Sequence, residues 1–289
     1  MFDVKIGIIG GTGLYEMEGL KKRETVTMST PFGSPSDNYL VGELNGINVA
    51  FLPRHGIGHR ILPHELNFRA NIFGFKKLGV ERIISVSAVG SMKEHIAPLH
   101  MVLPDQFFDR TRKRIDTFFG SGIAAHVSFS QPICFQLREI MHTKIQELGF
   151  PVHNGGIYLC IEGPQFSTKA ESHIYRSWKV DVIGMTNLQE AKLAREAEIC
   201  YVTIALVTDY DCWKEEEDNL SIEMIIDNLN KNTENVKRVI GETIPEISTI
   251  ERTCPCCSAL KNAIVTQADM IPDKVKKDLS IITGKYTQG

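Results

Sequence analysis

An apolar run near the amino terminus ends abruptly in glycine, and this feature limits the fold more than any other. Residues 5–15 read KIGIIGGTGLY, so that three isoleucines are followed by Gly10, Gly11, Thr12 and Gly13. Open α/β sheets bind their ligands where a buried strand gives way to such a loop. Glycines let backbone N–H groups turn toward an anion, and Thr12 adds a hydroxyl donor. The stretch therefore predicts an anion site, with phosphate as the leading candidate.

The two common nucleotide-binding motifs do not fit this loop. A dinucleotide fingerprint, G-x-G-x-x-G, fails when it starts at Gly11 because its sixth position is Glu16. A P-loop requires Gly-Lys followed by Ser or Thr, which does not occur in the chain. The alternative to an anion site is a tight turn between strand and loop that binds nothing.

The composition is that of an ordinary globular protein. Of the 289 residues, 43% are apolar and 23% are charged, which suits one large domain or two small ones. The net charge of −3 gives no support for a nucleic-acid or membrane partner. The first residues lack the layout of a signal peptide, and no apolar run approaches the ~20 residues of a membrane span. We expect a soluble cytoplasmic protein.

Strand-like apolar segments alternate along the chain with segments of helical periodicity. After the first strand, the predicted strands are 47–52, 82–89, 101–103, 156–161, 180–185 and 199–207. The predicted helices are 63–78, which Gly79 ends, 132–148, 187–198 and 220–240. This alternation indicates an α/β domain with a mixed, mainly parallel central sheet flanked by helices. Residues 1–245 are assigned to that domain, and residues 246–289 to a C-terminal extension packed on it.

One segment, residues 109–122, is basic and then glycine-rich, and it is predicted to be a long loop. Its basic part, DRTRKRIDTF at 109–118, is expected to lie in solvent. No internal repeat or low-complexity linker interrupts the chain.

Several predicted strands end in side chains that can bind an anion. Arg54 and His55 follow the second strand, Ser87 and Ala88 end the third, and Thr186 follows a later one. In one sheet these ends converge on one crevice. All of these groups are donors, which a phosphate dianion requires. We expect Arg54 to pair with phosphate oxygens bidentately and His55 to donate from either ring nitrogen.

Each of these residues has an ordinary role when it is considered alone. Thr186 precedes a helical run and is a candidate helix cap. Arg54 by itself is a candidate surface charge. The phosphate prediction depends on the set of donors, because several of them fall at the ends of strands.

Two acidic residues, Asp209 and Asp211, follow the apolar strand 199–207. Burial and a neighbouring anion both raise the pKa of a carboxyl group. A carboxylic acid that stays protonated near neutral pH can donate its proton to a ring nitrogen. The alternative is a loop with two solvated aspartates.

The seven cysteines fall into two groups. Four are scattered among apolar residues and are predicted to be reduced core thiols, namely Cys134, Cys160, Cys200 and Cys212. The others form a CPCC cluster of Cys254, Cys256 and Cys257. One CPCC lacks the second ligand pair of a zinc site, so a structural role, redox pairing and an incidental cluster all stay open.

The motifs together resemble a known family, the S-methyl-5'-thioadenosine phosphorylases, within the trimeric branch of the purine nucleoside phosphorylases. The matching segments are KIGIIGGTGLY (5–15), TPFGSPSD (30–37), RHG (54–56), SAVGS (87–91), DQFFDRT (105–111), IEGPQFSTKAES (161–172), GMTNLQEAKLAREAEICY (184–201) and TDYDCW (208–213). The resemblance implies a single-domain purine nucleoside phosphorylase-like fold and a pentosyltransferase of purine and methionine salvage. Its reaction converts methylthioadenosine and phosphate to adenine and 5-methylthioribose 1-phosphate. It also implies a homo-oligomer, trimer or hexamer, and no metal or organic cofactor, with phosphate as co-substrate.

Residue roles follow from the resemblance by position. The phosphate ligands of the family match Thr12, Arg54, His55, Ser87, Ala88 and Thr186, although the family usually has Thr where this chain has Ser87. The nucleoside-binding positions match Phe166 on the purine face, Met185 under the ribose, Ser167, Asp209 and Asp211 at the base, Ile222 near the 5' substituent, and His126 reaching into a neighbouring subunit's site.

The aspartates carry the expected chemistry and base preference. Asp209 is the candidate acid that protonates the purine N7, and Asp211 accepts from the exocyclic amine or orients the base, although the division between the two stays open. Relatives that use inosine and guanosine carry Asn near this point, so Asp209 favours adenine. The alternatives are a phosphorylase of 6-oxopurine nucleosides and a purine-binding protein without catalytic activity.

Overall fold

The computed structural model describes residues 3–11, 14, 17, 19–214 and 222–287, with the backbone alone at 222 and 223. Thr12 and the side chain of Ile222, both predicted to contact ligand, lie outside the described residues. Among the helices that are described, none combines the length and apolar composition that a membrane crossing requires.

The described residues form one mixed sheet of 11 strands with helices packed around it. The strands are β1 Ile6–Gly10, β2 Lys21–Val26, β3 Tyr39–Leu44, β4 Ile47–Pro53, β5 Arg82–Ser91, β6 Met101–Leu103, β7 Gln106–Arg110, β8 Val152–Asn154, β9 Ile157–Ile161, β10 Val182–Gly184 and β11 Cys200–Tyr210. The helices are α1 Phe68–Leu78, α2 Phe135–Glu147, α3 Lys169–Ser177, α4 Leu188–Glu196, α5 Ile222–Thr249, α6 Asp273–Asp278 and α7 Ser280–Thr287. The predicted fold class, a mainly parallel mixed sheet flanked by helices, is confirmed.

Parallel strands make up the centre of the sheet. β1 pairs with β4 on one side and with β5 on the other, and β5 also pairs with β11, all in parallel. Every residue of β1 is buried, as are all but one of β11. Such continuous apolar runs are typical of parallel strands that are covered on both faces. Their carboxyl ends therefore lie together at one edge of a rigid core.

The sheet branches along β5, and the branch opens a crevice. On one side, the first half of β5 pairs with β1 as far as Ser85, while its last residues, Gly90 and Ser91, pair with β10 instead. Between these two ladders, residues 86–89 have no strand partner on that side within the described chain. Ligands bind at such points, where neighbouring strands diverge.

Helix α1 shows how local signals set the boundaries. The Asn67 side chain accepts from the Ala70 N–H at the start of the helix, and Gly79 ends it with a φ of 92°. Glycine suits this left-handed cap because it has no Cβ. The predicted end at Gly79 is confirmed. The predicted start at 63 is five residues early, because Pro63–Glu65 forms a separate 3-10 turn.

Several elements escaped prediction because their sequences lack a clear period. β2, with the sequence KKRETV, is almost wholly exposed, so it shows no buried face. β8 and α3 are short, and their apolar residues are few. The predicted loop 109–122 also begins too early, because β7 extends to Arg110 and pairs with β9.

The C-terminal segment shares the main core. Helix α5 runs through Pro245 to Thr249, so the boundary predicted after residue 245 falls inside a helix. Leu260, Leu279 and Ile282 belong to the same buried apolar cluster as the central strands.

Candidate active site

A cavity of about 330 Å³ lies at the carboxyl ends of the central strands. Its walls come from the loop after β1, the turn after β4, the branch of β5, the turn after β10 and the end of β11. Ten residues predicted from the sequence line it, namely Arg54, His55, Ser87, Ala88, Phe166, Ser167, Met185, Thr186, Asp209 and Asp211. The convergence expected from the strand ends is therefore observed.

One predicted residue lies elsewhere. His126 is exposed, does not line the cavity, and donates its backbone N–H to the carbonyl of Ala263 at 2.9 Å. The role expected for His126 is in the site of a neighbouring subunit. Its position outside the cavity of its own chain does not test that role, which stays a prediction.

Arg54 is fully buried and forms a two-point ion pair with Glu190. Its Nε lies 2.5 Å from Oε1 of Glu190, and a terminal nitrogen lies 3.2 Å from Oε2. The same guanidinium donates to the carbonyl of Val86 and to the hydroxyl of Ser85. The expected bidentate contact of Arg54 with phosphate is therefore corrected, because Glu190 occupies its two-pronged face. Val86 belongs to the stretch of β5 that lacks a strand partner on the crevice side, so Arg54 contacts the backbone of the crevice wall.

The carboxylate of Glu190 is satisfied from several directions. Ser85 and Tyr201 donate hydroxyl groups to its Oε2 at 2.7 and 2.8 Å. Burial opposes its ionisation, but the Arg54 charge and these donors hold the pKa of Glu190 below its usual value. A buried ion pair is stable only when its remaining lone pairs are satisfied in this way.

Thr186 is positioned by a strained residue. The next residue, Asn187, has φ 76° and ψ −46°, and the N–H of Leu188 donates back to the carbonyl of Thr186 at 3.0 Å. Such a γ-turn costs conformational energy, and backbone strain of this kind clusters at functional sites. Asn187 is held there because its amide donates to Ser85, Tyr201 and Thr203.

The prediction that Thr186 caps the following helix is wrong. Asn187 occupies the cap position of α4, and the Thr186 hydroxyl donates to the Asn187 side chain at 3.0 Å. Thr186 therefore begins the turn that leads into the helix, at the cavity wall.

His55 presents only one nitrogen to the cavity. Its Nδ1 lies 2.8 Å from the carbonyl of Ile61, which can only accept, so Nδ1 carries the proton. The earlier expectation that either nitrogen can donate is corrected. Burial and the neighbouring Arg54 charge lower the pKa of His55 to about 4. At neutral pH its Nε2 is therefore a hydrogen-bond acceptor.

Two hydroxyl groups at the cavity wall lack a hydrogen-bond partner within the described part of the chain. The Oγ atoms of Ser87 and Ser167 are buried, and neither has a hydrogen-bond partner among the described residues. Buried polar groups are nearly always paired in native proteins. Because both serines line the cavity, a bound ligand can supply the missing partner, and for Ser87 the buried Tyr158 hydroxyl lies close as well.

A β-bulge at Thr208 aims the acidic residues into the cavity. The register between β11 and β5 shifts between Val207 and Asp209, so that Asp209 lies opposite Gly90. Thr208 donates its hydroxyl to Asp209 Oδ1 at 2.6 Å, and the Asn228 side chain of α5 donates to the Thr208 carbonyl at 2.9 Å. Bulges redirect side chains beside active sites. Helix α5 thus fixes the orientation of Asp209.

Asp211 is held by a residue of α3. The hydroxyl of Ser172 donates to Asp211 Oδ2, and the backbone N–H of Asp211 donates to Ser91. Burial raises the pKa of Asp211, and the hydrogen bond from Ser172 opposes that rise. Asp211 is thereby fixed in one orientation beside Asp209.

The turn that carries Met185 is fastened from behind by Arg114. This side chain is 1% exposed and donates to the carbonyls of Met185, Ile161 and Glu162. The prediction that residues 109–118 are solvated is therefore wrong at Arg114.

Gly163 lies opposite Met185. A Cβ on Gly163 would lie 2.6 Å from the Met185 sulfur, so glycine leaves room for Met185 in the cavity.

One end of the cavity is apolar, and its mouth is exposed. Helix α5 contributes Ile225 and Leu229, and Leu14 faces the cavity as well. Phe166 lines the mouth and is 79% exposed. The arrangement offers donors at the strand ends, carboxyl groups at the bulge and apolar surface against α5.

Comparison with known proteins decides the family. A family model described as the phosphorylase superfamily matches residues 5–245. The S-methyl-5'-thioadenosine phosphorylase of Koribacter versatilis is 57% identical over 282 residues, covering 98% of this chain and 96% of that protein. The chain belongs to the S-methyl-5'-thioadenosine phosphorylase family. This membership, within the phosphorylase superfamily, confirms the resemblance drawn from the motifs.

Solved structures of the S-methyl-5'-thioadenosine phosphorylase family agree. A methylthioadenosine phosphorylase from an antarctic soil metagenomic library has a TM-score of 0.93 and 47% identity, covering 96% of this chain and 98% of its own. The Schistosoma mansoni methylthioadenosine phosphorylase in complex with tubercidin has a TM-score of 0.81 and 33% identity, covering 89% of this chain and 96% of its own.

Residues behind the cavity were missed by sequence reasoning. Glu190 and Arg114 are charged residues in polar segments, which usually lie in solvent, so no sequence signal marked their burial. Ser172 had a usable signal, because Thr168 and Glu171 form a capping box that starts α3. That box places Ser172 in the first turn of the helix.

Proposed function

We propose that the protein catalyses phosphorolysis of S-methyl-5'-thioadenosine to adenine and 5-methylthioribose 1-phosphate. One observation carries the proposal: a single cavity brings donors for an anion within reach of two carboxyl groups that suit a purine. The names of the relatives given above agree with it.

Phosphate is proposed to bind at the strand ends. Thr12, Arg54, His55, Ser87, Ala88 and Thr186 are the proposed ligands. Arg54 supplies charge and its remaining N–H, since Glu190 takes its two-pronged face. The Ser87 hydroxyl, which lacks a partner among the described residues, gains one from a phosphate oxygen.

The bond that breaks joins the ribose to the purine. Its cleavage gives the sugar oxocarbenium character, as in glycoside hydrolysis. Phosphate stabilises that cation and then attacks it, so the chain supplies no nucleophile and needs no organic cofactor. Asp209 donates a proton to N7 of the departing adenine, and Asp211 accepts from its exocyclic amine.

The remaining contacts are proposed to select the nucleoside. Phe166 and Ser167 contact the purine, and Met185 lies under the ribose. The exocyclic amine of adenine can donate to an aspartate oxygen. A 6-oxo group has no hydrogen to donate, so that buried oxygen would stay unpaired at a cost of ~1–3 kcal/mol. The apolar residues Ile225 and Leu229, and Ile222 by resemblance, suit a 5'-methylthio group better than a hydroxyl.

The test is an assay of the purified chain with methylthioadenosine, adenosine and inosine, each with and without phosphate. We expect phosphate-dependent release of adenine, with kcat/KM highest for methylthioadenosine. A higher kcat/KM for inosine would support the 6-oxopurine alternative. Ligand binding by folded protein without any base release would support the non-catalytic alternative.

We propose a cytoplasmic homo-oligomer, trimer or hexamer, with phosphate and a nucleoside as its partners. The apolar residues Phe166, at the cavity mouth, and Ile57, which follows the cavity residue His55 by two positions, are 79% and 61% exposed and favour cover by a second copy. His126 of that copy is proposed to complete the site. Light scattering of the purified chain tests the assembly, and a monomeric mass would contradict it.

A further inference from the structure

A second constellation of reactive side chains lies outside the cavity. The Sγ atoms of Cys134, Cys200, Cys254 and Cys256 all lie within 4.8 Å of one another. All four residues are at most 9% exposed, and the sulfurs of Cys200 and Cys254 are 3.2 Å apart. Four sulfurs that converge on one point are the donor set of a structural metal site.

We propose that these four cysteines bind one zinc ion through their thiolates. Tetrahedral zinc with Zn–S bonds of about 2.3 Å places its sulfurs about 3.8 Å apart, which is the scale of this cluster. Sulfur-only tetrahedral sites select zinc or iron, and zinc is the usual occupant of closed structural sites. Four protein ligands leave no open position, so the ion has a structural role.

The fold supplies the ligand pair that the sequence lacks. Cys254 and Cys256 come from the CPCC segment, Cys134 precedes α2, and Cys200 is the first residue of β11. These positions are far apart in the chain, so no spacing motif reveals them. The sequence objection to a zinc site, that one CPCC has too few ligands, is therefore removed by the tertiary structure.

Nearby donors can balance the charge of the metal-bound thiolates. Four thiolates and one zinc ion carry a net charge of −2, which needs positive neighbours in a buried place. The guanidinium of Arg252 lies beside Cys200 and is placed to donate to its sulfur. The backbone N–H of Cys256 faces the sulfur of Cys254. Such outer contacts orient the ligands of metal sites and stabilise their charge.

Binding requires no oxidant or reductant. Four S–H bonds are replaced by four S–Zn bonds, and four protons pass to solvent. The other use of four adjacent thiols is a pair of disulfides, which requires an oxidant. A disulfide would join the sulfurs two by two, whereas one shared ion requires all four to converge, and here all four lie within 4.8 Å of one another.

Solvent reaches the cluster from one side. A surface cavity of about 620 Å³ is lined by Cys134, Cys254 and Cys256. An ion can enter by this route, and a chelator can remove it.

The cluster is remote from the proposed chemistry. Cys200 and Asp209 are at opposite ends of β11, nine residues and about 30 Å apart. The ion would tie α2, the start of β11 and the C-terminal segment together. Its loss is therefore expected to lower the unfolding temperature and to leave kcat/KM unchanged at temperatures where the protein stays folded.

The test begins with the full chain purified under reducing conditions without added metal. Elemental analysis is expected to give about one zinc per chain. Replacement of the metal by cobalt is expected to give the d–d bands of a tetrahedral site and an intense thiolate-to-cobalt band. Iron, or no metal before and after incubation with zinc, would overturn the proposal, as would an unreduced mass showing two disulfides among the four cysteines.

Two variants within the same CPCC segment provide the comparison. Cys256→Ser removes a proposed ligand and is expected to lose zinc to a chelator much faster, with a lower unfolding temperature. Cys257→Ser is the matched control, because its sulfur donates to the Cys254 carbonyl and is not part of the cluster. Equal zinc retention in both variants would contradict the assignment, and the metal content of the unaltered chain tests it even if Cys256→Ser fails to fold.

Discussion

Arg54 and Glu190 form a fully buried two-point ion pair behind the cavity, with N–O distances of 2.5 and 3.2 Å. The pair joins the turn after β4 to the first turn of α4 and therefore fixes two walls of the cavity together. It also places a positive charge beside the proposed phosphate position, although the Arg54 guanidinium keeps its partner Glu190. The ion pair is thus both a structural element and part of the electrostatics of the site.

Glu190→Gln is expected to destabilise the protein. The amide keeps the size of the side chain but leaves the Arg54 charge unpaired, so the free energy of unfolding should fall by about 3–5 kcal/mol. Phosphate should recover part of this loss, because its charge then replaces that of Glu190. Urea unfolding with and without phosphate measures both effects.

Ser85→Ala is the control for that change. It keeps the ion pair but removes one donor to Glu190 and an acceptor for Arg54 and Asn187, so a loss of about 1–3 kcal/mol is expected. If phosphate stabilises Glu190→Gln no more than it stabilises the unaltered chain, the charge of Arg54 does not act at the phosphate position.

His55 is expected to distinguish phosphate from sulfate. Its neutral Nε2 accepts, and hydrogen phosphate carries an O–H group that sulfate lacks at neutral pH. In His55→Asn the amide can replace Nδ1 as donor to Ile61, but the acceptor is lost. The preference for phosphate over sulfate should narrow by about 1–3 kcal/mol, roughly tenfold to hundredfold. The phosphate KM and the sulfate inhibition constant measure this preference.

His59→Asn is the matched comparison for His55. The His59 ring stacks on His55 with ring centres 4.3 Å apart, and its removal leaves Nε2 of His55 in place. We expect the preference to survive in His59→Asn. An unchanged preference in His55→Asn would show that the imidazole does not contact the anion.

Glu196 is expected to make stability depend on pH. Burial, against hydrogen bonds from Phe118 and Thr117, raises the pKa of Glu196 from 4.5 to about 7. At pH values between 4.5 and about 7, the Glu196 carboxyl is therefore protonated in the folded chain and ionised in the unfolded chain. Stability relative to Glu196→Gln should fall by about 2–3 kcal/mol as the pH rises through that window.

The measurement for Glu196 is the difference in free energy of unfolding between the two proteins at about pH 5 and about pH 8. Groups common to both proteins cancel in this difference. A difference that stays constant, or that moves in favour of the unaltered chain as the pH rises, would contradict the raised pKa of Glu196.

The strand ends could be predicted because they depend on local patterns. Apolar runs that stop at Gly10, Pro53 and Val207 identify buried strands, and parallel strands bring their ends together. The polar residues that follow each run therefore had to converge.

The residues that hold the cavity side chains in place could not be predicted, because they act through contacts between residues distant in sequence. Glu190 is buried only because Arg54, 136 residues earlier, lies opposite it. The bulge at Thr208 is held by the Asn228 amide of α5, and nothing in the sequence TDYDCW marks it. The cysteine cluster shows the same limit, since three separate elements supply its four sulfurs.

The central claim is that Asp209 protonates the purine that leaves while phosphate is bound at the strand ends. The most direct measurement is the steady-state kinetics of Asp209→Asn with methylthioadenosine and phosphate. We predict a kcat lowered by about 10²–10⁴, the usual effect of losing a general acid, with little change in the KM for phosphate. An unchanged kcat would contradict the claim and place the proton donor elsewhere in the cavity.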